Sequence, residues 1–138
     1  GCAVDEFQHI MYQNPDLTPD QRNQTWLELE HKYRPWIDFD NLPFYGRGAG
    51  WQRQLHIYEC PFYYIDYCLS TMAALQFFLL SLHDQKDAWE RYLRLVRRAG
   101  TASYTELCET AGLQVPFRDG SIKAIAQQMS QWIAGHQV

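Results

Sequence analysis

A dense apolar run between Tyr63 and Leu82 constrains the fold of this chain more than any other feature. The run is several times longer than a strand of about 5–6 residues, so it predicts a long helix. Polar residues interrupt it at Asp66, Ser70, Thr71 and Gln76. A membrane-spanning helix needs a more continuous apolar surface. We therefore expect a long central helix that is buried in protein rather than in lipid.

Helix start and stop signals divide the rest of the chain. Thr18-Pro19-x-Gln21 and Ser103-x-x-Glu106 are capping boxes, and Asp84 is a third candidate N-cap. Ser121 is predicted to cap a last helix whose inward residues would be Ile122, Ile125, Ala126, Met129 and Trp132 or Ile133. No stretch alternates with period two. The sequence thus predicts an all-α fold of about six helices packed around the long central helix.

Composition sets the size and the class of partner. With 138 residues, 46% of them hydrophobic, the chain is long enough for one helical domain over residues 1–138. The formal net charge of −4 argues against binding to nucleic acid or to an anionic membrane. No N-terminal segment has the pattern of a secretory leader, so we expect a cytoplasmic protein. The four cysteines form no C-x-x-C pair and are expected to be reduced, although their spacing leaves a disulfide open.

A histidine and three tyrosines lie just before and within the start of the apolar run. His56, Tyr63 and Tyr67 are spaced i, i+7 and i+11, and on an unbroken helix they would share one stripe, with Tyr64 beside it. Pro61 either kinks this helix or opens a new one, and a break there would change the direction of His56. The pattern predicts neutral hydrogen-bond donors that face one cleft.

The wording of this stretch resembles a known family. The segments A-V-D-E-F-Q-H (3–9) and W-Q-R-Q-L-H-I-Y-E-C-P-F-Y-Y-I-D-Y (51–67) resemble the C-terminal part of oligoendopeptidase F, of the M3 group of zinc metallopeptidases. That family binds zinc through a His-Glu-x-x-His helix and a later glutamate. No histidine here is followed by glutamate, so the zinc-binding segment is missing from this sequence.

The resemblance implies roles for the site residues. Tyr67 would be the catalytic residue that donates a hydrogen bond to the oxyanion, and His56, Tyr64 and, less certainly, Tyr63 would bind substrate. The intact enzyme would use zinc to hydrolyse short peptides, and its upstream zinc-binding segment would be the partner of this chain. We expect this chain alone to bind no catalytic zinc and to be inactive. An apolar patch facing the missing segment would favour self-association.

Two other functions fit parts of the sequence. A non-enzymatic interaction module would use an aromatic surface formed by Trp36, Phe39, Phe44, Tyr45 and Trp51. A di-metal carboxylate bundle would use Glu6-x-x-His9, Glu30 and His56-x-x-Glu59. Such a site needs two Glu-x-x-His motifs in the same direction, whereas the second copy here is reversed and only three of the six ligands have an obvious helical placement.

Overall fold

The computed structural model describes residues 1–39 and 41–136. Over these residues all regular secondary structure is helical, which confirms the predicted all-α class. The α-helices are α1 (Cys2–Gln13), α2 (Pro19–Tyr33), α3 (Leu55–Glu59), α4 (Ile65–His83), α5 (Gln85–Arg98), α6 (Tyr104–Ala111) and α7 (Ser121–Gly135). A short 3-10 helix, Ala49–Arg53, precedes α3. The chain divides into two compact units, residues 1–68 and 69–138.

The first unit is built on a small aromatic core between α1 and α2. Val4 and Phe7 of α1 pack with Trp26 and Leu29 of α2, and all four side chains are buried. The Phe7 and Trp26 rings meet edge to face with their centroids 5.3 Å apart, a favoured aromatic geometry. This core is the base on which the 3-10 helix and α3 rest.

The glycine-rich segment before α3 is packed rather than open. Gly48 has a φ of +74°, and a Cβ there would lie 1.9 Å from the backbone oxygen of Asn23. Only glycine suits both the left-handed backbone and this close approach. Gly48, Ala49 and Gly50 are buried, so this end of the loop is anchored on α2.

The core of the second unit is formed by α6 and the segment that follows it, which pack against α4 and α5. Cys108 and Ala111 of α6 pack with Leu113 and Val115, and these four side chains are buried. Gln76 of α4 adds a polar contact, because its amide accepts from Gln114 N at 2.7 Å and donates to Gln114 O at 3.0 Å. The amide of Gln76 therefore satisfies the exposed backbone groups of an extended segment.

The long helix predicted from the apolar run is α4, and its exposure differs from the prediction. Gln76 is its one buried residue within the described chain, and its apolar side chains are mostly half-buried. By length and composition α4 is apolar enough to cross a membrane, a test that the core helix of a soluble protein also passes. Its paired Gln76 is the feature expected of a helix that packs on protein.

Most of the predicted helix caps are confirmed. Thr18 and Ser103 form complete capping boxes with Gln21 and Glu106. Asp84 accepts hydrogen bonds from the backbone of the first turn of α5. These side chains satisfy N–H groups that would otherwise lack partners.

The prediction for α7 is wrong in two respects. Gly120, with a φ of +78°, is the N-cap, and the Ser121 hydroxyl donates instead to the carbonyls of Pro116 and Arg118. Of the apolar residues expected to face inward, Ile125 is buried, whereas Ile122 and Ile133 are more than half exposed. A helical stripe identifies a shared face but does not ensure that another element covers it.

Candidate functional site

The chain turns sharply between the histidine and the tyrosines. α3 ends at Glu59 and α4 begins at Ile65, with Pro61 in the turn that separates them. Phe62 in this turn has a φ of +63°, an uncommon conformation for a bulky residue. Of the two alternatives left open at Pro61, the structure has the break: one helix ends at Glu59 and a new one begins at Ile65, so the i, i+7, i+11 spacing does not lie on one continuous helix.

The turn nevertheless brings all four predicted site residues together. Tyr67 Oη lies 3.4 Å from His56 Nε2. The His56 ring stacks on Tyr63 at a centroid distance of 6.2 Å and meets Tyr64 edge to face at 4.8 Å. Tyr67 also meets Tyr63 and Tyr64 edge to face, at 5.6 and 5.1 Å. We call His56, Tyr63, Tyr64 and Tyr67 the His-Tyr cluster.

The His-Tyr cluster lies at the surface and is accessible to a ligand. Tyr63 is 49% exposed and Tyr67 46% exposed, while His56 and Tyr64 are half-buried. A phenolic hydroxyl has one O–H donor, so each tyrosine can donate one hydrogen bond. The cluster is thus a donor-rich surface.

His56 is positioned by neighbouring residues that pack on the aromatic core of the first unit. Trp51, in the 3-10 helix, donates from Nε1 to Asn23 Oδ1 at 2.9 Å, and its ring lies 5.3 Å from that of Phe7. Ile57, the residue after His56, packs against the same core. Because α3 is only five residues long, these anchors rather than its own hydrogen bonds fix the direction of His56.

The tyrosines are positioned by a buried amide that the sequence analysis did not single out. Gln8 of α1 is 1% exposed, and its Oε1 accepts from the backbone N–H of Phe62 at 2.9 Å. The Phe62 ring packs against His9 and Tyr12, each at 4.9 Å between centroids. Gln8 and this aromatic contact together hold the turn that directs Tyr63, Tyr64 and Tyr67 toward His56.

A signal for Gln8 was present in the sequence. Gln8 follows Val4 by one helical turn and therefore lies on the inward stripe of α1. A glutamine on such a stripe needs a hydrogen-bond partner, since an unpaired amide is costly to bury. The sequence does not reveal that the partner is a turn 54 residues away.

The residues of the di-metal alternative are engaged elsewhere. Glu6 accepts hydrogen bonds from Lys32 Nζ at 2.8 Å and from Tyr33 Oη at 2.5 Å. The buried carboxylate of Glu30 pairs with Arg34. Over residues 1–39 and 41–136, no three His, Cys, Asp or Glu side chains are arranged to hold a metal ion.

The aromatic residues of the interaction-module alternative do not form one surface. Phe39 is 4% exposed, and Trp51 packs on the aromatic core. Trp36 is 77% exposed, while Phe44 and Tyr45 are half-buried and pack on each other. Only part of the predicted set is therefore available to a partner.

Solved structures show what this chain is similar to. It matches PZ peptidase A, solved with an inhibitor, at 44% identity over 98% of this chain, with a TM-score of 0.91. It matches an oligoendopeptidase F at 42% identity over 98% of this chain, with a TM-score of 0.90. An oligoendopeptidase F from Bacillus anthracis matches at 33% identity over the same share, with a TM-score of 0.73.

Over nearly all of its length, this chain resembles a segment of oligoendopeptidase F-like peptidases. The family suggested by the sequence is thereby confirmed, as is the helical architecture. This oligoendopeptidase F-like chain spans 24% of PZ peptidase A, 24% of the first oligoendopeptidase F and 21% of the Bacillus anthracis protein. No protein-family model matches the chain, and no curated protein matches it.

Over residues 1–39 and 41–136, the donor set of the oligoendopeptidase F-like chain does not fit a zinc site. The sequence holds no His-Glu-x-x-His, Glu6 is paired with Lys32 and Tyr33, and Glu30 is paired with Arg34. A tetrahedral zinc site needs three or four converging ligands.

Proposed function

We propose that this chain forms one wall of the substrate cleft in an oligoendopeptidase F-like zinc peptidase of the M3 group, which hydrolyses short peptides. Zinc would be held by an upstream segment of the same protein and would polarise the scissile carbonyl. The residues of this chain would bind the peptide and stabilise the charge that develops during hydrolysis. The intact enzyme would act in the cytoplasm.

The observation that carries this proposal is the convergence of His56 and Tyr67 within one half-exposed cluster. Hydrolysis of a peptide bond passes through a tetrahedral species whose carbonyl oxygen becomes negative, and a fixed donor stabilises that oxygen. Tyr67 Oη, 3.4 Å from His56 Nε2, is a phenolic donor at the surface. It would donate to the oxyanion, while Tyr64 and, less directly, Tyr63 would contact the substrate.

His56 would bind the substrate backbone beside Tyr67. An imidazole can donate from one nitrogen and accept at the other, so it suits both the N–H and the C=O of an extended peptide. The centroids of three tyrosine rings lie 4.8–6.2 Å from that of His56, so its aromatic neighbours are phenols. These surroundings favour binding of a peptide backbone over recognition of a charged side chain.

The chain alone would be inactive, because it contributes donors but no activated water. Isolated residues 1–138 are expected to show no peptide hydrolysis above background with zinc present. Turnover by the purified chain that disappears in the His56→Ala variant would contradict this expectation.

A segment exchange tests the catalytic role. Residues 1–138 would replace the matching quarter of PZ peptidase A, to which they are 44% identical, and cleavage of a fluorogenic short peptide would be measured. We expect Tyr67→Phe to lower kcat by about 10²–10³-fold with a small change in KM, as for loss of an oxyanion donor. We expect His56→Ala to raise KM as well.

Tyr12→Phe is the matched control for this exchange. It removes a phenol hydroxyl from a 63% exposed ring outside the His-Tyr cluster and keeps the ring contact with Phe62. If the Tyr67→Phe and Tyr12→Phe chimeras have equal kcat values, Tyr67 does not stabilise the oxyanion.

A further inference from the structure

Two cysteines that are far apart in sequence lie side by side in the first unit. Cys2 is the first residue of α1, and Cys68 lies in the first turn of α4. Their Sγ atoms are 3.6 Å apart, and the Cys2 thiol donates a hydrogen bond to Cys68. Both are free thiols. A disulfide requires the sulfurs to approach to about 2 Å, so these two thiols need to move about 1.6 Å closer.

The backbone holds this pair together. A Cβ on Gly1 would lie 2.2 Å from Cys68 Sγ, so the chain at the start of α1 directly abuts the second thiol. Asp5 N donates to Gly1 O at 3.1 Å and extends the helical hydrogen bonds to this first residue. Cys2 is therefore held in the hydrogen-bonded backbone of α1.

A small molecule can reach both sulfurs. A cleft of about 340 Å³ is lined by Cys2, Cys68, Arg34 and Tyr64, among others. Cys2 is exposed and Cys68 half-buried, whereas Cys108 is completely buried in the other unit. Cys2 and Cys68 thus differ from Cys108 because a reagent can reach them, and they differ from the exposed Cys60 because their two thiols lie next to each other.

We propose that Cys2 and Cys68 are a redox modification site, which closes to an intramolecular disulfide on reaction with a small-molecule disulfide such as oxidised glutathione. The disulfide would tether the start of α1 to the first turn of α4, the turn that carries Tyr67. This modification goes beyond the proposed peptidase role and does not depend on it.

The reaction proceeds by two exchanges. The exposed Cys2 loses its proton, and its thiolate attacks one sulfur of oxidised glutathione; the glutathione S–S bond breaks and a glutathione thiolate leaves with a proton. Cys68 then loses its proton and attacks the Cys2 sulfur of the mixed disulfide, and the second glutathione leaves in the same way. Two protein thiols are oxidised, and one oxidised glutathione is reduced to two thiols.

The surroundings of the Cys2 thiol favour slow oxidation that proceeds only when oxidant is in excess over reductant. Burial, and next the hydrogen bond with the Cys68 thiol, raise the pKa of Cys2 above its ordinary value. Little thiolate is present at neutral pH, so the pair is expected to stay reduced while reductant is in excess. Proximity, in contrast, favours ring closure over a lasting glutathione adduct.

The test uses the full chain with the exposed Cys60 replaced by serine. The Cys60→Ser protein would be equilibrated in glutathione redox buffers, denatured, alkylated and analysed by intact mass and peptide mapping. We expect the loss of two alkylatable thiols, no bound glutathione, and a cross-linked pair of peptides that contain Cys2 and Cys68. We also expect Tm to rise by several degrees on oxidation and to return on reduction, because the bridge restricts the unfolded chain.

Three outcomes would overturn the proposal. They are stable glutathione adducts on separate cysteines, a disulfide-linked dimer, and retention of all three thiols in excess oxidised glutathione. The Cys60→Ser, Cys68→Ser double variant tests the order of attack: it should stop at one glutathione adduct on Cys2. An unmodified Cys2 in that variant would show that Cys2 is not the attacking thiol.

Discussion

At the scale of single residues, Glu6 links the two helices of the first unit. Its carboxylate on α1 binds Lys32 and Tyr33 near the end of α2. The hydrogen bond from Lys32, and next that from Tyr33, lower the pKa of Glu6 below its ordinary value of 4.5. A group whose pKa is lowered by folding stabilises the folded state above its unfolded pKa, and this contribution is lost as the pH falls through the folded value.

Glu6→Gln should therefore lower Tm at neutral pH and have little effect in strong acid. We expect a decrease of less than about 5 °C at pH 7, because exposed ion pairs are weak. The difference between the two proteins should shrink below about pH 4.5 and vanish once Glu6 is protonated. Thermal unfolding monitored by circular dichroism between pH 2 and pH 8 measures both quantities.

Glu28→Gln is the control for the change in net charge. Glu28 lies on α2 and accepts from the neutral Gln24 side chain, so its replacement removes one negative charge without removing an ion pair. If both variants change Tm equally at every pH, the Glu6 contacts do not contribute to stability.

At the scale of elements, the turn between α3 and α4 depends on one buried amide. Gln8→Leu keeps the approximate volume of the side chain but removes the acceptor for Phe62 N–H. We expect the free energy of unfolding to fall by about 1–3 kcal/mol, the cost of leaving a partly buried donor unpaired. Chemical denaturation gives this value, and the NMR resonances of the His56 ring should shift as the tyrosines around it move.

Gln13→Leu provides the comparison for Gln8→Leu. Gln13 is the last residue of α1 and is exposed, so the same substitution there should change stability by less than about 0.5 kcal/mol. Equal effects of the two substitutions would mean that Gln8 does not support the turn.

The helices were predictable where local chemistry decides them. Thr18, Ser103 and Asp84 cap helices through contacts two or three residues away, and such signals are complete within a short window of sequence. Ser121 had the same local signal, but the carbonyls of Pro116 and Arg118 offered its hydroxyl other partners. Periodicity identified the α7 stripe without revealing how little of it is covered.

The proximity of the four candidate residues was predictable, but the backbone path that brings them together was not. His56, Tyr63, Tyr64 and Tyr67 were selected by their wording and spacing, and they do converge. The path is a left-handed turn at Phe62 rather than a continuous helix. Such a turn is stabilised by contacts with α1, more than 50 residues away, and sequence separation of this kind leaves no periodic signal.

At the scale of the whole molecule, an apolar surface on the second unit is left exposed. Trp89 is 57% exposed and Tyr92 42% exposed on α5, and their rings stack. Together with Phe77 and Ser81 of α4 they line an open cavity of about 940 Å³. Exposed aromatic surface of this kind favours association.

That residues 1–138 behave as one domain stays a prediction. A single cooperative unfolding transition of the whole chain would support it.

Trp89→Glu is expected to weaken self-association of the purified chain by about tenfold or more. The estimate corresponds to the burial of one large apolar side chain, about 1.5–3 kcal/mol. Sedimentation velocity over a range of concentrations measures the change in the association constant.

Trp36→Glu is the reference variant for this measurement. Trp36 is 77% exposed and belongs to the first unit, so its replacement makes the same chemical change without altering α5. A chain that stays monomeric at every concentration, or equal association of the two variants, would contradict the role of the α5 surface.

The turn at Phe62 also limits how the length of this chain can vary. Tyr67 lies in the first turn of α4, and the Gln8 contact fixes where that turn begins. One inserted residue between Phe62 and Tyr67 would rotate Tyr67 by roughly 100° about the helix axis and direct its hydroxyl away from His56. Insertions should be tolerated in the exposed stretch around Trp36, but the five-residue step from Phe62 to Tyr67 has to keep its length for the His-Tyr cluster to form.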